Sequence, residues 1–131
     1  MWLRESWMWL IQQRVLKGWA GQRRPTALDV GCGPGFVMEA LWESLDVRGI
    51  DIDPSAVEEA RTRGLDAREA DAHALPFEDG SFDVVYCSFL LLWVKGPSKV
   101  LSEMARVSRD WVVCLAEPDV GARIDFPEEL A

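Results

Sequence analysis

The stretch that decides the fold runs from residue 27 to residue 36 and reads Ala-Leu-Asp-Val-Gly-Cys-Gly-Pro-Gly-Phe. Its first four residues form a short, mainly apolar run that predicts a buried strand. Three glycines then alternate with other residues, and glycine permits positive φ angles and close approach to the backbone. Apolar residues return at helical spacing from Phe36 to about Leu45. The sequence therefore predicts a strand, a glycine-rich turn and a helix, although such a loop by itself is equally consistent with a purely structural turn.

Outside this stretch, short apolar runs alternate with helix-length amphipathic segments, which is typical of an α/β fold with a parallel sheet. We predict strands at residues 27–30, 47–52, 65–70, 82–88 and 111–115, and helices at residues 36–45, 54–63 and 97–107. The expected architecture is a doubly wound, mainly parallel sheet of about five strands with flanking helices. At 131 residues, of which 49% are hydrophobic, the chain has the size of a single domain.

Within that domain, residues 26–117 are predicted to form the core, and residues 118–131 an irregular tail. Residues 1–25 are predicted to form an amphipathic helix and a linker, because their apolar residues recur at the spacing of one helical face. These apolar residues are Leu3, Trp7, Leu10, Ile11, Val15 and Trp19. Packing is the default role for tryptophans in such a segment.

The charge and composition of the chain argue against several classes of partner. A net charge of -8 disfavours nucleic acid, because binding to phosphate backbones relies on clustered Lys and Arg. No run approaches the roughly 18 apolar residues of a membrane span, and residues 1–19 lack a secretory cleavage site. The three cysteines, Cys32, Cys87 and Cys114, are too widely spaced for a metal knuckle and are expected to be small apolar fillers. A cytoplasmic protein without a nucleic-acid or membrane partner is expected.

Asp51 is the second informative residue, because it ends the second predicted strand 20 residues after Gly31. This spacing matches the acid that binds a ribose in dinucleotide-binding folds. A carboxylate at this position can accept hydrogen bonds from both ribose hydroxyls. The alternative role is that of a helix-entry residue, but Asp53 before Pro54 already supplies an N-cap. We therefore expect Asp51 to be free for a ligand.

A third stretch carries a family resemblance. Residues 69–72 read Glu-Ala-Asp-Ala, and residues 75–85 read Leu-Pro-Phe-Glu-Asp-Gly-Ser-Phe-Asp-Val-Val. Together with the glycine-rich loop and Gly-Ile-Asp-Ile-Asp at residues 49–53, the chain resembles the class I S-adenosylmethionine-dependent methyltransferases, especially their small-molecule branch. The resemblance runs in order from about Thr26 to Glu117 and implies a Rossmann-like fold, S-adenosylmethionine as cofactor and a small-molecule acceptor.

The resemblance also implies roles for individual residues. Its cofactor-binding set is Asp29, Gly31, Cys32, Gly33, Gly35, Asp51, Ile52, Asp71, Ala72, Ser88 and Phe89. The glycine-rich loop would wrap the methionine and ribose portions, with Asp29 ordering the loop near the amino group. Asp51 would hold the ribose and Ile52 would pack on the adenine. Asp71 would accept from the exocyclic amine, and the Ala72 N–H would meet a ring nitrogen.

At the methyl end, the resemblance implies a backbone contact from Ser88, and Phe89 begins the segment that borders the methyl group. A nicotinamide or flavin dinucleotide is the alternative ligand, since it uses the same fold and the same ribose acid. The dinucleotide fingerprint requires its third glycine at position 36, which is Phe36 in this chain. Because a bulky side chain there hinders approach of a pyrophosphate, the sequence favours the methyltransferase cofactor.

Methyl transfer from a sulfonium requires positioning more than acid–base chemistry, and a general base only when the acceptor must lose a proton. Glu117 is a weak candidate for that role, with a solvated strand end as its alternative. His73 is expected to be a loop residue beside the cofactor rather than a catalyst. Residues 90–93 are expected either to line an apolar acceptor pocket or to pack against the core. The N-terminal segment is expected to supply part of a lid over the cofactor.

The chain departs from the resemblance after the fifth predicted strand. Residues 118–131 are too few for the helix and strand hairpin that usually complete the sheet, so strand 111–115 is expected to be an open apolar edge. A fragment of a longer protein is the favoured explanation. The alternatives are a second copy or a partner chain that covers this edge, and a non-catalytic module that only binds S-adenosylmethionine.

Overall fold

A six-stranded sheet forms the centre of the part of the chain that the computed structural model describes, namely residues 23–88, 90–91, 93–115 and 124–125. Its strands are β1 (Thr26–Val30), β2 (Asp46–Asp51), β3 (Ala67–Glu69), β4 (Phe82–Ser88), β5 (Ser108–Leu115) and β6 (Ile124–Asp125). The described helices are α1 (Phe36–Leu41), α2 (Pro54–Thr62) and α3 (Pro97–Val107). The strand order is β3-β2-β1-β4-β5-β6, and only the β5–β6 pair is antiparallel among the described strands.

The order of the strands creates a topological switch point. The chain moves outward from β1 to β2 and β3, and then returns to place β4 on the other side of β1. In open parallel sheets, ligands bind outside the carboxyl ends of the strands where the order reverses. The loops after β1 and β4 therefore begin at the place where such a fold forms its binding crevice.

Both faces of the sheet are covered, as expected for parallel strands. On one face α1 and α2 contribute Met38, Leu41, Val57 and Ala60 to an apolar cluster with β1 and β4. On the other face α3 contributes Val100, Met104 and Val107 to a second cluster. Six of the seven residues of β4 are buried. The predicted doubly wound, mainly parallel architecture is confirmed.

Local signals explain where α2 begins and ends. The Asp53 side chain accepts from Ser55 N–H at 3.0 Å and caps the helix, and Pro54 occupies the first turn. Gly64 follows the helix with a φ of 84°, a left-handed conformation that commonly ends helices. The predicted cap and stop of this helix are both confirmed.

Three elements, α1, β3 and β5, have a boundary that differs by more than one residue from the sequence predictions. Helix α1 ends at Leu41 rather than near Leu45, because the chain must leave the helical path before Asp46 N–H bonds to Pro25 O in the sheet. Strand β3 covers residues 67–69 rather than residues 65–70. Strand β5 begins at Ser108, directly after α3, and its register shifts between Phe82 and Val84 of β4.

Strand β6 lies in the segment that the sequence predicted to be an irregular tail. Ile124 and Asp125 pair with Leu115 and Cys114 of β5. The expectation of an entirely open β5 edge is therefore wrong at these two positions. A two-residue strand is too short to show a period of two in the sequence, and its pairing depends on a distant partner.

Several predictions lie outside the described residues: the helix within residues 1–25, Phe89 and Glu117. Among the helices that are described, none has the length and apolar character needed to cross a bilayer.

Candidate functional site

The glycine-rich loop lies at the carboxyl end of β1 and is fastened to the next strand. The N–H groups of Gly31 and Cys32 donate to Ile50 O at 2.8 and 2.9 Å. Gly31, Gly33 and Gly35 have φ angles of 76°, 56° and 93°, a region that L side chains rarely adopt. These bonds place the loop beside the end of β2, where Asp51 is found.

A small cavity adjoins this loop. An ideal Cβ built on Gly31 would lie 2.7 Å from Leu90 Cδ1, so the Leu90 side chain occupies the space that the glycine leaves open. The cavity has a volume of about 60 Å³. Its lining consists of Gly31, Ile50, Asp51, Ile52, Ala70, Ala72, Leu90 and Val94. This volume is smaller than the roughly 300 Å³ of typical ligand pockets.

The carboxylate of Asp51 stands between the glycine-rich loop and the start of α2. Its Oδ2 accepts from Gly33 N–H at 2.8 Å, and its Oδ1 accepts from Asp53 N–H at 2.9 Å. The expectation of a free Asp51 is therefore wrong, because backbone groups of two neighbouring turns donate to it. A carboxylate has about four acceptor positions, so each oxygen retains capacity for a hydroxyl donor.

Ile52 follows Asp51 at the tip of β2 and is 65% exposed. It lines the same cavity as the buried Ala72, which follows β3. An exposed apolar side chain beside a cavity gains when a flat apolar ring covers it. The cavity therefore combines an apolar wall with the polar groups of Asp51 and the glycine-rich loop.

Asp71 lies beyond β3 and is bound to its neighbour His73. Its Oδ1 accepts from the His73 backbone N–H at 2.9 Å and lies 2.8 Å from Nδ1 of the ring. These bonds, the backbone bond first, lower the pKa of Asp71. Both fall on Oδ1, so within the described part of the chain Oδ2 is the oxygen left to accept from a further donor.

Asp29 is a buried acid beneath the glycine-rich loop. Burial raises its pKa to about 7, against a lowering influence from Tyr86, which is its register partner on β4. Within the described residues, neither carboxylate oxygen of Asp29 nor the Tyr86 hydroxyl completes a hydrogen bond of standard geometry. Burial is the larger influence, so the pKa of Asp29 is raised although the Tyr86 hydroxyl acts to lower it. An unsatisfied buried carboxylate at this position is an uncommon and costly arrangement.

Two further predicted residues, Cys32 and Ser88, lie in the glycine-rich loop and next to it, respectively. Cys32 is buried, and burial, with smaller contributions from Asp29 and Asp51, raises the pKa of its thiol to about 12. Ser88 is half-buried at the carboxyl end of β4. Because Cys87 pairs with Val30, Ser88 is next in register to Gly31. In the described ranges, no group of three His, Cys, Asp or Glu side chains is placed to hold a metal ion.

Helix α3 holds the loop that follows Asp71 and Ala72. Glu103 accepts from Leu75 N–H at 2.8 Å, and Arg106 donates to Leu75 O and Phe77 O at 3.0 and 2.8 Å. Arg106 also bonds to Glu103, and this is the largest influence that lowers the pKa of Glu103 to about 2. The Leu-Pro-Phe segment is thus fixed by α3, which packs in the same apolar cluster as Leu75 and Phe77.

The sequence did not single out two residues that shape the site. An ideal Cβ on Gly49 would lie 2.7 Å from Cys32 Cβ and 2.6 Å from Met38 Sδ, so this strand glycine lets the loop and α1 approach β2. A glycine inside a strand is itself a signal of close approach. Gly96, before α3, donates its N–H to His73 Nε2 at 3.2 Å. No local pattern indicates this second contact, since it joins residues far apart in the chain.

A larger cavity of about 330 Å³ lies at the opposite edge of the sheet. Its lining includes Thr26, Asp46 and Phe82, which begin their strands. It contains none of the residues predicted for the site. Four of the predicted residues, Gly31, Asp51, Ile52 and Ala72, instead line the smaller cavity at the carboxyl edge.

Residues 28–114 match the family described as "Methyltransferase domain". The chain belongs to this methyltransferase domain family. Membership implies S-adenosylmethionine as methyl donor. The site fits this cofactor: Gly31 leaves space that a Cβ would fill, Asp29 is a buried acid whose carboxylate completes no hydrogen bond within the described residues, and Ile52 is an exposed apolar wall.

Named relatives share the methyltransferase domain. The chain is 40% identical to the demethylmenaquinone methyltransferase of Renibacterium salmoninarum over 92 residues, which cover 68% of this chain and 38% of the relative. It is 30% identical to the ubiquinone/menaquinone biosynthesis C-methyltransferase of Desulfotalea psychrophila, over 94% of this chain and 52% of the relative. A solved chain from the complex of the Haloferax volcanii Trm112 methyltransferase activator with a methyltransferase is similar at 26% identity and a TM-score of 0.67, covering 88% of this chain and 57% of that chain.

The chain spans 38% and 52% of the length of the two curated relatives named above. The matched residues 28–114 include β2, β3 and β4, most of β1 and β5, the glycine-rich loop and the acids at the strand tips.

Proposed function

We propose that this chain forms the cofactor-binding part of an S-adenosylmethionine-dependent methyltransferase that acts on a small-molecule acceptor. The observation that carries the proposal is the cavity at the switch point of the sheet, where Gly31, Asp51, Ile52 and Ala72 meet. These residues come from three separate stretches of the chain, and each has a distinct task in binding an adenosine. The names of two relatives, which refer to demethylmenaquinone and to ubiquinone and menaquinone, support a small-molecule acceptor.

Different residues bind different parts of the cofactor. The open backbone at Gly31 and Gly33 receives the methionine and ribose portions, and Asp29 faces the amino group from below the loop. Asp51 accepts from the ribose hydroxyls with the acceptor positions that Gly33 and Asp53 leave open. Ile52 packs on the adenine, Asp71 Oδ2 accepts from its exocyclic amine, and the Ala72 N–H meets a ring nitrogen. Cys32 and Gly35 shape the loop around these groups.

The bound cofactor supplies a methyl group that its positive sulfonium already activates. The protein then contributes alignment of the acceptor and exclusion of water. Ser88 and Leu90 stand at the methyl end, beside Gly31. Leu90 and Leu91 pack against the core cluster of the α3 face, whereas Trp93 is 81% exposed and is available to an apolar acceptor. Phe89 and Glu117 are proposed to border the acceptor, with Glu117 as the base if the reaction needs one.

We also propose that another chain, either a second copy or a partner, pairs with the edge of the sheet at β5 and β6. Among the described strands, β6 is the last of the sheet and pairs with β5 at Cys114 and Leu115. A sheet edge is a place where a strand of another chain can add. A cytoplasmic location is proposed from the odd number of cysteines and their burial, which fit a reducing compartment.

Calorimetry on the wild type, Asp51→Ala and Glu58→Ala tests the cofactor assignment. We expect the wild type to bind S-adenosylmethionine and S-adenosylhomocysteine but not NAD, because Phe36 hinders a pyrophosphate. Asp51→Ala should lose at least about 1.5 kcal/mol of binding free energy, the scale of hydrogen bonds to a charged group. Glu58→Ala removes an exposed carboxylate from α2 and should bind as the wild type does. Binding of NAD, or full affinity in Asp51→Ala, would contradict the assignment, and binding without methyl transfer to any acceptor would indicate a non-catalytic module.

A further inference from the structure

His73 joins two parts of the site that are distant in sequence. Its Nδ1 lies 2.8 Å from Asp71 Oδ1, and Gly96 N–H donates to its Nε2 at 3.2 Å. The ring also packs on Gly96, since an ideal Cβ there would lie 3.3 Å from His73 Cδ2. The imidazole therefore spans the space between the turn after β3 and the start of α3.

The two hydrogen bonds assign the proton on the ring. A backbone N–H can only donate, so Nε2 must carry a lone pair to accept from Gly96. The proton of the neutral ring is then on Nδ1, where it donates to Asp71 Oδ1. Because the His73 backbone N–H donates to the same oxygen at 2.9 Å, two bonds fix Oδ1 and leave Oδ2 for the adenine amine.

The second contact of the His73 ring, with Gly96, lies next to a wall of the cavity. Gly96 is the N-cap of α3, and its carbonyl accepts from Val100 N–H at 3.1 Å. Val94, two residues earlier, lines the cavity together with Asp51 and Ala72. Fixing Gly96 therefore fixes the chain that carries Val94 to the adenine side.

We propose that His73 is a positioning residue for adenine recognition. It holds Asp71 with Oδ2 presented to the exocyclic amine, and it holds residues 94–96 against the same end of the cavity. This inference rests on the proposed function, because it assumes that the cavity receives the adenine of S-adenosylmethionine.

Two substitutions each remove one of the two hydrogen bonds of the His73 ring and keep the other. In His73→Gln the amide oxygen replaces Nε2 as acceptor for Gly96, but the donor to Asp71 is lost. In His73→Asn the amide nitrogen replaces the Nδ1 donor, but the shorter side chain does not reach Gly96. We expect the preference for S-adenosylhomocysteine over its analogue without the 6-amino group to fall about threefold to tenfold in His73→Gln and to persist in His73→Asn. Amide exchange at Gly96, measured by NMR, should accelerate only in His73→Asn.

The outcomes distinguish this inference from the proposed function. A wild type that binds neither compound overturns both. A wild type that binds both compounds equally, or a His73→Gln variant that keeps the full preference, overturns the role of His73 alone. Because the chain contains one histidine, ¹⁵N NMR of the wild-type ring reports on His73 without ambiguity, even where a variant fails to fold. We expect the Nδ1–H tautomer, and an Nε2–H tautomer would overturn the inference.

Discussion

Gly31 and Gly33 have the same left-handed backbone but different surroundings. A Cβ on Gly31 would lie 2.7 Å from Leu90 Cδ1, whereas a Cβ on Gly33 would meet nothing within 4 Å. Substitution by alanine imposes the same kind of backbone strain at both positions, on the order of 1–2 kcal/mol. A comparison of the alanine variants at these two positions therefore separates the effect of backbone strain from the effect of filling the cavity.

We predict that Gly31→Ala lowers the affinity for S-adenosylhomocysteine at least about tenfold more than Gly33→Ala does. The added methyl group enters the space that the cofactor requires, and a steric overlap of this kind costs about 1–3 kcal/mol. Denaturant unfolding measures the loss of stability in both variants, which should be at least as large in Gly31→Ala because its Cβ also overlaps Leu90 Cδ1. Calorimetry with the two proteins provides the comparison, and equal affinities would show that the space above Gly31 is not used by the ligand.

Asp29 makes the stability of the fold depend on pH. Its pKa is raised to about 7 in the folded state, so between about 4 and 7 the folded chain holds one more proton than the unfolded chain. Stability from this group therefore falls as the pH rises through that interval and is level above it. We predict that the free energy of unfolding of the wild type falls relative to Asp29→Asn by up to about 4 kcal/mol between pH 4 and pH 8.

Urea unfolding of both proteins at intervals of one pH unit measures this difference. Asparagine has the shape of the acid without its charge, so it serves as the matched control. Parallel curves for the two proteins across this range would mean that Asp29 is ionised in the fold throughout.

At the scale of elements, α3 and the loop at residues 75–79 act as one unit. The loop has no regular structure, and its backbone groups at Leu75 and Phe77 are satisfied by Glu103 and Arg106. Buried backbone groups outside helices and strands need such side-chain partners. The helix therefore supports the loop that follows Asp71 and Ala72, and through it the part of the cavity that Ala72 lines.

We predict that Glu103→Gln destabilises the fold by about 1–3 kcal/mol at pH 7, because a hydrogen-bonded charge is lost beside Arg106. The pKa of Glu103 is lowered to about 2 from 4.5, so its contribution is present above about pH 4.5 and is lost as the pH falls towards 2. The difference between the two proteins should shrink over that interval. Thermal unfolding across pH 2–7 measures it, with Glu58→Gln on the exposed face of α2 as control. A difference that is independent of pH would assign the effect to packing.

At the scale of the whole molecule, the sheet order determines where the site forms. The reversal between β1 and β4 leaves a crevice at their carboxyl ends, and the pairing of β1 with β2 brings Asp51 to the same edge. Gly49 lets α1 and the glycine-rich loop approach β2. The site is therefore a product of topology and of close packing between two layers.

We predict that the chain self-associates through β5 when β6 is removed. A variant that ends after Ala116 exposes the backbone of Cys114 and Leu115, which β6 covers. Light scattering after size-exclusion chromatography should show a larger average mass for this variant than for the full chain at equal concentration. A monomer at every concentration in both proteins would exclude pairing between copies at this edge.

The sequence by itself determined the order of the elements from β1 to β5 and the identity of the residues at the strand tips. Apolar periodicity, the Asp53–Pro54 helix start and the Gly64 stop are local signals, and local hydrogen bonds and packing enforce them. The boundaries of α1 and β5 were less predictable, because their ends depend on the sheet pairing of Asp46 and Ser108.

Only the tertiary structure decided what those residues contact. The engagement of Asp51 by Gly33 N–H, the packing of Leu90 on Gly31 and the bridge from Asp71 through His73 to Gly96 join separate parts of the chain. No short-range pattern encodes such contacts, because they arise when parallel strands bring distant loops to one edge of a sheet. The sequence thus predicted which groups belong to the candidate site, and the folded sheet determined the distances between them.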